Sequence, residues 1–93
     1  MKALTELQIR PRMKELEGWE FKNDALHTSF EFKDFKDTFS VMTRIAFEAE
    51  KLQHHPNWCN VYNYLEISLS THDANGVTEK DFELAKIIDE LVS

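Results

Sequence analysis

With 93 residues, 11 of them Lys or Arg against 17 Asp or Glu, the chain has room for one domain, taken as residues 1–93, and a formal charge of −6. An acidic chain without a basic stripe is not expected to bind nucleic acid directly, and a lone cysteine, Cys59, excludes an intrachain disulfide. Residues 1–12 lack the apolar stretch of a signal peptide and no apolar run approaches a membrane span, so a cytoplasmic location is expected.

Thr5 can cap a first helix running towards Leu16, with Gly18 placed to stop it. Pro11 requires that this helix either start near Pro11 or kink there. Trp19-Glu20-Phe21 reads as a short strand and Asn23-Asp24 as a turn; Leu26, Thr28, Phe30 and Phe32 alternate like a second strand with one buried face. These two strands are expected to form a hairpin. Asp34 is placed to cap the longest helix, Phe35 to Gln53, on which Phe35, Phe39, Val41, Met42, Ile45, Ala46, Ala49 and Leu52 share one broad apolar arc. Pro56 is read as the end of that helix, because it drives His55 out of the α region. Trp58–Tyr62 and Tyr64–Ser70 form a second strand pair, with Leu65, Ile67 and Leu69 on the buried face. A loop, His72 to Gly76, precedes a last helix. Thr78 caps it, Asp81 completes a capping box, and Val77 and Phe82 stand where a hydrophobic staple belongs. The order helix–strand–strand–helix–strand–strand–helix implies an α+β fold: a four-stranded antiparallel sheet with three helices on one face.

Chemistry-bearing residues gather at element ends. His54 and His55 lie at the break between the long helix and a strand, and His72 follows directly after another strand. Glu50, one helical turn before His54, can share its face, and Asp73 and Asp81 complete a set of imidazoles and carboxylates suited to acid–base work near neutral pH. Blander readings stand beside this one. A His-His pair is commonly a solvated loop, Trp58 and Tyr62 can be core aromatics, and His27 falls on the polar face of its strand. Cys59 with the three histidines could be taken for a zinc set, but the spacing is not that of common zinc sites, and a cysteine in an aromatic-rich strand is expected in the core. Asp81 is fully explained by its capping box, so its replacement by Asn is expected largely to spare turnover.

The block Glu50-Lys51-x-x-His54-His55-Pro56-x-Trp58-x-Asn60-Val61-Tyr62-Asn63, with Leu69-Ser70-Thr71-His72 and Gly76-Val77-Thr78-x-x-Asp81, resembles the pterin-4a-carbinolamine dehydratases. Phe30-x-Phe32-Lys33-Asp34-Phe35 and Phe39-x-x-Met42-Thr43-Arg44 match as well, and the likeness is weakest from Met1 to Leu16. The resemblance implies dehydration of 4a-hydroxytetrahydropterin, made by aromatic amino acid hydroxylases, to quinonoid dihydropterin, with no metal or dissociable cofactor. It implies three active-site histidines, His54, His55 and His72, and a substrate-binding set of Glu50, Pro56, Trp58, Ser70 and Thr71. His54 and His72, coming from separate elements, are expected to be the acid–base pair, with His55 chiefly holding the pterin. A homodimer or homotetramer is implied, and some vertebrate relatives also partner a homeodomain transcription factor. Phe47, outside the apolar arc beside Ser40 and Thr43, is therefore expected in a contact between subunits. The competing reading is a non-catalytic binding or assembly protein on the same fold.

Overall fold

Thr5 extends at φ −80°, ψ 162° and its hydroxyl takes the Gln8 N–H, while the Gln8 side chain returns to the Thr5 N–H; this capping box opens α1, Glu6–Arg12. In the computed structural model, which describes residues 2–93, Pro11 lies inside α1 rather than at its start. Lacking an N–H, it cannot continue the ladder for long, and the chain tightens at once into a 3₁₀ turn, Met13–Glu15. Gly18, at φ 90°, then reverses direction into β1, Glu20–Lys22. Asn23 and Asp24 both adopt positive φ, 52° and 58°, the geometry that two-residue hairpins favour, and lead into β2, Ala25–Glu31.

Asp34 caps α2, Phe35–Leu52, through its carboxylate and the Asp37 N–H. The helix ends earlier than Pro56 alone requires. Gln53 swings into the left-handed region at φ 53°, and the His54 N–H closes back on the Ala49 carbonyl at 3.0 Å. β3, Asn57–Val61, and β4, Tyr64–Leu69, follow as a hairpin, and a 3₁₀ turn, His72–Ala74, leads on to α3, Glu79–Val92. All pairings are antiparallel and the strand order is β1-β2-β4-β3. β4 is thus inserted between β2 and β3, which run parallel to each other. Three helices and a four-stranded antiparallel sheet in the expected order make the fold α+β.

The core lies between the sheet and the helices. Leu26, Leu65, Ile67 and Leu69 from the strands meet Val41 and Ile45 of α2 and Phe82, Leu84, Ala85 and Ile88 of α3. The broad arc expected on α2 is divided. Thr38, Val41, Ile45 and Ala49 are buried, whereas Phe35 and Phe39 are 46% and 53% exposed and Ala46 is exposed too. An arc this broad exceeds the width one sheet and one neighbouring helix can cover, so its flank faces solvent. Cys59 also departs from expectation. Pairing with Glu66 places it on the sheet face away from the helices, and it is exposed. Among the described residues, no helix is long and apolar enough to cross a membrane.

Trp19 links β1 to the end of α3, its indole N–H donating to Asp89 Oδ1 at 2.9 Å. Burial pushes the Asp89 carboxyl above its ordinary value, and the indole donor opposes that shift. A raised folded-state value means that stability is lost as pH rises through the carboxylate range. Trp19→Phe removes the opposing donor, so its deficit in urea unfolding is expected to be about 1–2 kcal/mol at pH 7, and to shrink below the carboxylate range.

Candidate active site

The β3–β4 register determines which residues meet beyond the strand ends. Val61 pairs with Tyr64 and Asn57 with Ser68, so continuing the same antiparallel register sets His55 opposite Ser70 and His54 opposite Thr71. The structure brings these residues together with His72 around a depression of about 360 Å³, a volume suited to a small planar ligand. Gln53, Asp73 and Lys80 complete its rim.

His54 is buried at the inner wall. Its Nε2 lies 2.5 Å from Asp81 Oδ1, and the aspartate is wholly buried. Asp81 Oδ2 accepts the Thr71 hydroxyl and the Thr78 backbone N–H, each at 2.9 Å, while Thr78 Oγ1 lies 2.6 Å from Thr71 Oγ1. Because Thr71 donates to Asp81, Thr78 donates to Thr71 and every hydroxyl is satisfied; none of the buried side-chain polar atoms among the described residues lacks a partner. Within this network Nε2 donates to the carboxylate, which fixes the ring and leaves Nδ1 free.

His55 is handled differently. Its Nε2 meets Glu50 Oε2 at 2.6 Å, and both side chains are largely exposed, 57% and 69%. Glu50 was expected to share a face with His54; it pairs with His55 instead, because the left-handed Gln53 turns the chain, and the two neighbouring rings find different carboxylates. His72 is exposed in its 3₁₀ turn and makes no side-chain hydrogen bond to the described residues. Ser70 and Thr71 line the depression as well. Pro56 and Trp58 do not. Trp58 pairs with Ile67 on the helix side of the sheet and packs against the core.

Asp81 is the residue to which the sequence reading gave too small a part. Its capping box is present, with the Lys80 N–H on Thr78 Oγ1 at 3.3 Å and the Thr78 N–H on Asp81. The same carboxyl also orients His54. The signal was in the sequence, since a buried cap has a second oxygen to satisfy, but its partner lies 27 residues away.

A second hollow, about 590 Å³, lies on the outer sheet face among Glu20, His27, Ser29, Cys59 and Glu66. His27, as expected, faces outward there, and its Nε2 donates to the Lys22 carbonyl at 2.9 Å. That hollow is larger, but its one imidazole is engaged with backbone and no second histidine joins it. The site with three histidines is the better candidate for chemistry. Cys59, on this outer face, is not brought to those histidines, so the four-residue zinc set does not assemble.

A small α+β domain thus brings three imidazoles to one depression, one of them held by a buried carboxyl. The family description Pterin 4 alpha carbinolamine dehydratase matches residues 2–91, and the chain belongs to that family. It is 60% identical over 92 residues to a protein of Christiangramia forsetii named for pterin-4-alpha-carbinolamine dehydratase activity, covering 99% of this chain and 95% of that one. A similarly named protein of Paraburkholderia xenovorans is 45% identical over 92 residues, covering 97% and 96%. The crystal structure of a transcriptional coactivator/pterin dehydratase from Brucella melitensis superposes with a TM-score of 0.95 at 39% identity, over 99% of this chain and 100% of that one. A pterin dehydratase-like protein described as a RuBisCO assembly factor in the alpha-carboxysome shares the fold at TM-score 0.65 and 23% identity, over 78% and 84%. The activity class of the family is that of a hydro-lyase.

Thr78→Ala removes a helix cap and the donor to Thr71 together. It is expected to cost about 0.5–2 kcal/mol in chemical denaturation. A variant as stable as the parent would show that the hydroxyl network contributes nothing to the fold.

Proposed function

We propose that this chain is a cytoplasmic enzyme that dehydrates 4a-hydroxytetrahydropterin to quinonoid dihydropterin by histidine acid–base catalysis, acting on the product of an aromatic amino acid hydroxylase. The observation that carries the reading is the convergence of His54, His55 and His72 on one depression, with His54 held by a buried carboxyl. Dehydration needs two proton transfers. The hydroxyl on C4a must gain a proton to leave as water, and N5–H must lose one as the C4a=N5 double bond forms. His54 and His72, carried by separate elements that line the same depression, are the acid–base pair, each positioned group being worth about 10²–10⁴ in rate. Asp81 stabilises whichever protonated state His54 takes up during the cycle, and His55 with Glu50 holds the substrate. Ser70 supplies polar groups for the pterin's amide edge, while Thr71 lines the depression with its hydroxyl and backbone already hydrogen-bonded. An assembly protein without activity has no use for a buried His–Asp pair opening onto a depression, which favours the enzyme over the scaffold.

Generating the carbinolamine in situ and following its loss by absorbance tests this directly. The protein is expected to accelerate dehydration above the spontaneous rate; an unchanged rate would end the enzyme reading. His54→Ala and His72→Ala are expected to lower kcat, and His55→Ala mainly to raise KM. Asp81→Asn, which disturbs the orientation of His54, is expected to lower kcat by at least about tenfold in a folded protein. Retention of full kcat by all three histidine variants would make the imidazoles binding groups.

The homo-oligomer belongs to the same reading. Phe35 and Phe39 lie on the uncovered flank of α2 with ring centroids 5.6 Å apart and planes tilted by 31°, and Phe47 is 65% exposed on the same helix. An apolar strip of this size on a soluble surface marks a contact, and a second copy is the occupant proposed. Phe47→Glu is expected to lower the mass measured by light scattering while leaving the circular dichroism of the monomer intact. An unchanged mass would remove Phe47 from the contact.

A further inference from the structure

We propose that the N-terminal segment, Ala3 and Leu4, is a positioning element for His72, holding its loop from behind. The inference rests on reading His72 as an acid–base group. His72 is exposed and its ring makes no hydrogen bond to the described residues, so the imidazole's place is set by the loop backbone alone. That loop closes on itself. The Thr71 N–H donates to the Gly76 carbonyl at 2.8 Å and the Gly76 N–H returns to Thr71 at 3.4 Å; within it, Ala74 and Asn75 donate back to Thr71 and His72 at 3.0 and 3.1 Å.

Two anchors hold the closed loop. At its start the Thr71 hydroxyl is fixed on buried Asp81. At its end the anchor is the N-terminal segment, where the Leu4 N–H donates to the Val77 carbonyl at 2.8 Å. Ala3 packs beside it. A methyl group added to Gly76 would come 3.1 Å from the Ala3 Cβ and, among the described residues, meet no other non-neighbouring atom within 4 Å. Gly76 does not have a positive φ, so its backbone would accept alanine; what its missing Cβ provides is room for Ala3. The segment is itself secured further along. Leu4 packs on the core, Thr5 caps α1, and Arg12 at the end of α1 reaches Glu79 of α3 at 2.6 Å and lies over the Phe82 ring at 4.1 Å. α1 and the segment before it therefore bind the loop's far end to the same helix that carries Asp81.

The test is a cycle of Gly76→Ala, Ala3→Gly and the double variant, read in turnover and in amide hydrogen exchange. Gly76→Ala is expected to lower kcat about three- to tenfold with KM within about twofold, since small displacements of a reacting group cost rate steeply. The same variant is expected to speed exchange at Ala74 and Asn75. Ala3→Gly, which removes the methyl facing Gly76, is expected to loosen the loop as well, with a smaller loss of kcat and faster exchange at Ala74 and Asn75, and combining it with Gly76→Ala should restore both kcat and protection. Losses that the double variant fails to restore would overturn the proposal, because they would then belong to the glycine's own backbone. A Gly76→Ala protein with parental kcat and exchange would overturn it too, as would restored exchange with kcat unaltered throughout. A parent protein that leaves the spontaneous rate unchanged would sink the dehydratase reading instead, and the exchange arm would still decide whether the segment restrains the loop.

Discussion

The carboxyl of Asp81 has no exposure to solvent, and the geometry of the candidate site follows from that constraint. Burying such a group without partners costs several kcal/mol, so each of its oxygens must find donors. Here the donors come from three elements: the turn after α2 supplies His54, the end of β4 supplies Thr71, and the start of α3 supplies Thr78. One group therefore ties together the three chain segments that line the depression. Scaffold and site cannot be altered separately at this point, because the carboxyl that begins α3 is also the one that orients an imidazole.

Much of this was readable from short-range chemistry. Thr5, Asp34 and Thr78 cap the helices that follow them, Asn23-Asp24 makes the first hairpin turn, and Leu65, Ile67 and Leu69 alternate into the core. The register behind the site was less plain: the strand ends expected from the sequence, Tyr62 and Tyr64, leave a single residue in the turn, whereas the observed turn holds Tyr62 and Asn63 and carries His55 to Ser70 and His54 to Thr71. The sheet order was not readable in the same way. Inserting β4 between β2 and β3 depends on long-range pairing along the whole length of β2, which no local pattern specifies.

The departure on α2 has a plain physical origin: a sequence pattern reports which side chains are apolar but not how much of them the rest of the fold can cover. The apolar arc of α2 was wider than the surface available to it, so Phe35 and Phe39 remain outside while Thr38, a polar residue, is buried with its hydroxyl on the Asp34 carbonyl at 2.8 Å. Cys59 took its face from register rather than from its own hydrophobicity. Pro56 was credited with ending α2, whereas the helix had already stopped at a left-handed glutamine, a conformation that Gly and Asn favour and that nothing in the residue type announces.

That glutamine has a consequence for the chemistry. Once Gln53 turns the chain, His54 meets a buried carboxyl and His55 an exposed one. Identical side chains, adjacent in sequence, thus receive different constraints. The ring of His54 is fixed in orientation and tautomer by a partner that cannot move without disturbing a helix cap. The partner of His55 sits on a flexible, solvated side chain whose grip is weakened by water and salt. The fixed imidazole suits a proton transfer, where geometry must be held through the reaction, and the adaptable one suits contact with a substrate that must enter and leave. The third, on the His72 loop, has no side-chain hydrogen-bond partner among the described residues, so its precision has to come from the backbone around it. This places unusual weight on the packing of Gly76 against Ala3.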